Sequence, residues 1–375
     1  MKNSIGNNVI LTVFGESHGP AVGVVLDGLA PGIEVSDADI AAFLSVRRPS
    51  DSTATARREP DRFQILSGVF QGYTTGAPIC IVIPNADVRS QDYEALRGIA
   101  RPSHADYTAH VKYGGFEDWR GGGHFSGRVT AGIVAAGAIA CKALARRGIS
   151  VGSHILSCGS AMDADALELA PDGMQERVSA LSGMDFPLLC PERKDDFMNV
   201  IGQAAADGDS VGGTVQTIIT GLPAGLGEPW FDSVEGSISK AVFALGGVKG
   251  IEFGKGFGFA RGTGSQLNDP FILENGKVRT ATNNNGGING GITNGMPVIF
   301  NTAVKPTPSI TKSQKTVNFA DMEPCTVSVK GRHDAAIVRR IPIVITSMAA
   351  ITVCDMLVTS GSFTQEEQGT GSVQA

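Results

Sequence analysis

Metal-ligand spacing is missing from this sequence. Its six cysteines, Cys80, Cys141, Cys158, Cys190, Cys325 and Cys354, contain no CxxC or CxxH pair. That argues against a zinc site and a small disulfide scaffold, and fits reduced thiols in a cytoplasm. Charge is scarce too: charged residues make up 18% of the chain, and the formal net charge is −6. A generally basic nucleic-acid surface is therefore excluded, and any anion site must be a local cluster of arginines. No apolar signal core opens the chain, which begins MKNSIGNN, so no export address is expected. The nearest approach to a membrane span, residues 341–358, is interrupted by Pro342, several Ser/Thr residues and Asp355. It reads as a buried or interface helix. Internal repeats and linkers are also lacking, so the 375 residues are read as one domain with a substantial core. Residues 1–360 are expected to form it, and 361–375 a polar, disordered tail.

What is abundant is glycine, at 49 residues. With so few charges, much of the surface is expected to be covered by ligand, loops or other subunits, which predicts a homo-oligomer. Residues 8–14 (VILTVFG) and 21–27 (AVGVVLD) read as two strands around the turn GESHGP, which carries Glu16, Ser17 and His18. Residues 36–46 start with Ser-Asp and have helical apolar spacing, predicting a capped helix that ends at Arg47 and Arg48. The loop at 49–60 adds Arg57 and Arg58; the two arginine pairs read either as a solvated face or as a lid over a phosphorylated substrate. Strands are expected at 151–158, 214–221 and 296–304, and helices at 126–147, 192–206 and 233–245. The βαβ spacing is too irregular for a doubly wound sheet, so the fold class is α/β (α+β), with antiparallel strand pairs and interleaved helices.

Residues 101–128, RPSHADYTAHVKYGGFEDWRGGGHFSGR, form the chemical centre of the sequence. His104 and His110 can exchange protons near neutral pH, and Arg101, Arg120 and Arg128 can grip a phosphate or carboxylate. Gly121, Gly122 and Gly123 allow close backbone approach, and the following helix would aim its N-terminal N–H groups at an anion. The glycine tract at 254–264 is not a dinucleotide fingerprint, because no helix pattern follows it. A second tract, residues 283–295, offers amides and open backbone to a flat polar cofactor ring.

Taken in order, GESHGPAVGVVLDGLAPG, RRP, RREPD, RPSHADYT, KYG, RGGG, DSVGG, GLPAGLGEP, VKGIEFGKGF, GGINGGI, KPTPS and GRHD resemble the successive motifs of the chorismate synthase family. The likeness runs from residue 6 to about 358. It implies a homotetramer, each chain a β-α-β sandwich of antiparallel sheets and helices. The implied activity is the anti 1,4-elimination of phosphate and a proton from 5-enolpyruvylshikimate 3-phosphate, giving chorismate. Reduced FMN is required, without net redox change. The fungal bifunctional type carries large insertions that this chain lacks, so a separate flavin reductase or other reductant is expected, with no nucleic-acid or membrane partner.

By the same resemblance, His18 protonates the departing phosphate, and His104 protonates or stabilises the reduced flavin. Asp334 assists removal of the substrate proton, while Ser17 and Ser126 orient this network. Arg47, Arg48, Arg58, Arg128 and Arg340 are the implied substrate ligands. The implied flavin ligands are His124, Phe125, Ser126, Gly246, Gly247, Gly290, Lys305, Pro306, Thr307, Pro308, Ser309 and Arg332. Where the family reads RSSARET, this chain has HFSGRVT, so His124 and Phe125 replace an arginine and a serine. Thr53 likewise stands for an arginine. A binding protein that kept the fold and lost catalysis, or a flavin oxidoreductase, is the alternative; retention of both histidines and the aspartate favours the lyase.

Overall fold

The structure is a computed structural model describing residues 2–48, 61–86, 94, 96–170, 173–329 and 334–361. Thr53, Arg57, Arg58 and Arg332, with the loop at 49–60 and the tail beyond 361, lie outside the described residues.

Two five-stranded antiparallel sheets enclose a pair of helices. The first sheet runs Ser4–Ile5, Ile10–Gly15, Ala21–Asp27, Ile79–Pro84, Gln64–Ser67 in spatial order, and the second Val248–Phe253, Val298–Val304, Gly213–Thr220, Ser150–Cys158, Ala161–Met162. Helix Thr130–Ala145 packs on the first sheet and helix Ile341–Thr359 on the second, with the helices against each other between them. Alanine and glycine make this closeness possible. A β-carbon on Gly132 would stand 2.9 Å from the Gly23 carbonyl, and one on Gly137 only 2.1 Å from Ser347 Cβ. The helical stretches Gly127–Ala145 and Ile341–Thr359 are apolar and long enough to cross a membrane. Here, however, they are mostly buried between the sheets.

Burial follows the periods of the elements. Val22, Val24, Leu26, Ile79, Ile81 and Ile83 alternate inward and are buried, each such side chain contributing about 1.5–3 kcal/mol on leaving water. In the second sheet Ser153 faces the helices, where Thr346 Oγ1 lies 2.8 Å away. Its neighbour His154 must therefore face outward. There it is held between Asp163 (2.9 Å) and Gln216 (3.1 Å), under helix Met174–Leu181, whose Val178 carbonyl leaves room only for glycine at position 152. That outer position removes His154 from the helix-facing side.

The predicted helix at 36–46 forms as Asp37–Val46, with Ser36 Oγ accepting from Asp39 N. The predicted helix at 126–147 is shorter at its start. Ser126 is extended, Gly127–Val129 is a 3-10 turn capped by Ser126, and the α-helix begins at Thr130. The glycine-rich tract at 246–265 contains the strand Val248–Phe253, whose position at the sheet edge tolerates Gly250. The exposed hairpin Phe271–Glu274 with Lys277–Thr280 has no counterpart among the expected elements, whereas Glu323–Val327, paired with Gln314–Asn318, is the strand expected ahead of GRHD.

Candidate active site

The turn at residues 16–19 links two strands of the first sheet, and the glycine loop is docked onto it. Ser17 N donates to Gly123 O (3.0 Å), and His124 Nδ1 donates to Gly15 O (2.8 Å). Gly121 lies flat against His18, so that a β-carbon there would stand 2.1 Å from Cε1 and 2.2 Å from Nδ1. His18 and Ser17 are both buried. His124 thus commits one ring nitrogen to the backbone of this turn, while Phe125 is half exposed beside Tyr113.

Beside the turn sits an arginine cluster organised by one acid. Asp61, its carboxylate wholly buried, takes Arg47 Nη2 at 2.9 Å, Arg48 Nε at 3.6 Å and, in a short contact, Arg128 Nη1. Burial works to raise the Asp61 carboxyl, but Arg47 and Arg128 outweigh it and hold it below the ordinary carboxylate range. Arg128 also donates to Asn85 Oδ1 (2.9 Å) and Pro84 O (3.2 Å). Much of its guanidinium is therefore occupied within the protein. Arg340 pairs with Asp334 at 2.5 Å. Arg128 and Arg340 both repel Arg47 electrostatically, which brings the starts of the two core helices to one region, where their dipoles add to the positive field.

A second cluster joins His104 to the KPTPS segment. His104 Nε2 lies 2.9 Å from Ser309 Oγ and Nδ1 3.2 Å from Pro102 O, while Lys305 Nζ donates to Ser103 O at 2.6 Å. Burial, then the neighbouring Arg101 charge, pushes the His104 imidazole down to about 4. This favours the neutral ring, and an anion beside it would raise its affinity for a proton. Lys305 N donates to Gly247 O (2.9 Å), and space for a side chain at Gly247 is closed by Ile337 Cδ1 at 2.9 Å. The DSVGG segment ties these pieces together: Ser210 Oγ donates to Thr307 O (2.6 Å) and Val211 N to Ala335 O (2.8 Å).

The structure thus gathers Ser17, His18, His124, Ser126, Arg47, Arg48 and Arg128 around the turn, with Arg340 and Asp334 adjoining. Gly247, Lys305, Thr307 and Ser309 gather around His104. Gly246 and Pro306 are exposed beside this second group, and Pro308 is half-buried in it. Gly290 is not brought there by its own chain: its tract hydrogen-bonds near the start of strand Val298–Val304, whereas Lys305 follows its end, roughly 20 Å away at strand rise. The phosphate grip expected of Arg101 and Arg120 is corrected. Asp106 holds Arg101 at 2.8 and 2.7 Å and Asp118 holds Arg120 at 2.8 Å twice, because short local loops place each acid beside its own arginine. His110 is likewise engaged by Glu117 at 3.1 Å. Neither Asp61, although it closes the RREPD motif, nor Asn85 was assigned a role from the sequence. The partners of their side chains lie 13 to 69 residues away.

The chorismate synthase family model matches residues 9–358. The chain belongs to the chorismate synthase family. It is 46% identical over 362 residues to the chorismate synthase of Dehalococcoides mccartyi strain BAV1, covering 96% of this chain and 98% of the relative. That of Thermococcus kodakarensis is 44% identical over 354 residues, covering 94% and 96%. A crystal structure of chorismate synthase superimposes with a TM-score of 0.74 at 28% identity, covering 95% of this chain and 93% of that one. The β-α-β sandwich expected for this family is the architecture observed.

The His104 cluster fits a phosphorylated polar cofactor. Thr307 Oγ1 is buried without a hydrogen-bond partner. Lys305 is pushed below the usual lysine range by burial and by Lys249; an anion between two such lysines would relieve their repulsion.

Proposed function

We propose that this chain is a chorismate synthase that eliminates phosphate and a proton, in the anti sense, from 5-enolpyruvylshikimate 3-phosphate. The observation that carries the reading is the convergence of Arg47, Arg48 and Arg128 on the single buried carboxylate of Asp61, beside the turn holding His18. Three guanidinium charges against one carboxylate leave a positive surplus suited to a phosphate dianion. Reduced FMN, when bound, supplies electron density to the reaction without being consumed.

The protein's own residues do the rest. Arg48, the most accessible of the three arginines, contacts the phosphate, with Arg58 as a further ligand. Arg47 and Arg128 maintain the field from behind it. His18 delivers a proton to the departing phosphate oxygen, and Ser17 and Ser126 orient the surrounding hydrogen bonds. Asp334, steadied by Arg340, assists removal of the substrate proton. His104 serves the flavin side, where Gly246, Gly247, Lys305 to Ser309, His124, Phe125 and Arg332 would hold the cofactor; Gly290 would reach it only from another subunit. The working unit is a cytoplasmic homotetramer supplied with electrons by a separate reductase.

The test is anaerobic incubation of purified protein with the enolpyruvyl substrate and reduced flavin. Many turnovers of chorismate per flavin are expected. Product formed in strict proportion to flavin oxidised would overturn the lyase reading.

A further inference from the structure

The side chain of Asn85 occupies a position that none of the roles above explains. Its Nδ2 donates to Glu16 O at 3.0 Å and to Gly19 O at 2.8 Å, the two carbonyls that bracket the turn bearing His18. Its Oδ1 accepts from Arg128 Nε at 2.9 Å. The amide can stand only this way round. A guanidinium has no acceptor and a carbonyl no donor, so the oxygen must meet Arg128 and the nitrogen must meet the turn. The backbone N of Asn85 adds a fourth bond, donating to Pro20 O at 3.1 Å. Asn85 directly follows strand Ile79–Pro84, whose register against Ala21–Asp27 places Pro84 opposite Ala21. A rigid sheet therefore carries the amide to the turn.

The contacts continue in one line. Arg128 passes from Asn85 to Asp61, and Asp61 to Arg47 and Arg48. We propose that Asn85 is a positioning residue: its side-chain amide fixes the turn carrying His18 and, through Arg128 and Asp61, holds that imidazole in register with the arginine cluster. The inference rests on the proton-donor role given to His18 above. The energetic logic is that of preorganisation. A proton must be delivered to an oxygen that the arginines hold, so donor and grip have to share one frame, and a shift of the donor matters more than any loss of binding. Asparagine suits the task because it bridges two acceptors and a cation without adding a charge. An aspartate of the same size would satisfy Arg128 but oppose both carbonyls.

The experiment is a double-mutant cycle on turnover, using Asn85→Ala, His18→Ala and the double variant, with circular dichroism and thermal unfolding to verify folding. Asn85→Ala is expected to lower kcat by about 10²-fold, the cost of a misplacement of about 1 Å. If Asn85 acts through His18, that loss shrinks to less than about threefold once His18 is already alanine. Asn85→Asp runs the same cycle should the truncated variant not fold, with the same expectation. A slow His18→Ala enzyme to which the Asn85 change adds its full loss would overturn the positioning role alone. Near-full turnover by His18→Ala itself would bring down both that role and the proton-donor assignment beneath it.

Discussion

Replacing Gly121 by alanine separates two costs that a glycine at this position avoids. At φ 58° the new residue meets left-handed strain of about 1–2 kcal/mol. Its β-carbon would also stand 2.1 Å from His18 Cε1. Carbon atoms rest at about 3.5–4.0 Å, so the imidazole must retreat by roughly 1.4 Å or more. Misplacing a reacting group by about 1 Å costs about 10²-fold in rate. Gly122→Ala is the internal control: its φ is 81°, yet the nearest atom to its β-carbon is Ser126 Cβ at 3.9 Å, an ordinary contact. Both variants should therefore lose thermal stability through the left-handed strain, Gly121→Ala the more because of its added clash, while only Gly121→Ala should lose about 10²-fold in kcat. The assay is steady-state chorismate formation with saturating reduced flavin, paired with thermal unfolding of each variant. Equal losses of turnover in the two variants, or a Gly121→Ala enzyme within about threefold of the parent, would refute the reasoning.

Asp61→Asn removes the counter-charge of buried Arg47 and Arg128 and should cost about 3–5 kcal/mol of stability by denaturant titration. Because the folded carboxyl is held below its ordinary value, its contribution is present above the unfolded pKa and is lost as pH falls through the folded one; acid unfolding of the parent should show this loss and that of the variant should not. His104 has the same sign over a higher pH range. Its folded pKa lies below the unfolded one, so stability declines as pH falls from 6.5 to about 4, the unfolded ring binding the proton first; His104→Gln should flatten stability measured across that interval, and an unchanged slope would reject the assignment. Arg48→Ala should raise the apparent substrate constant by the equivalent of about 1.5–3 kcal/mol, and equal losses with a substrate lacking the phosphate would return Arg48 to a structural role.

The sequence by itself determined the elements whose signals are local. The β-branched runs at 21–27 and 298–304, the Ser36 cap and the alanine-rich core helix each carry their pattern in a short stretch of chain. The ordered motifs likewise disclosed the family and named His18, His104 and Asp334. Tertiary structure alone decided which partners each charge takes. Arg101, Arg120 and Arg128 look equivalent in the sequence, yet the first two are each taken up by one nearby aspartate and the third bridges Asn85, Pro84 and Asp61. Local spacing cannot predict this, because a guanidinium finds its partners through space. The same holds for His124, which the motif alignment set beside the cofactor and the fold ties to the Gly15 carbonyl. It also holds for His104, whose lowered pKa arises from burial and from a neighbouring arginine. Burial, desolvation and hydrogen-bond saturation are properties of the assembled fold, and they select the working residues from those the sequence makes available.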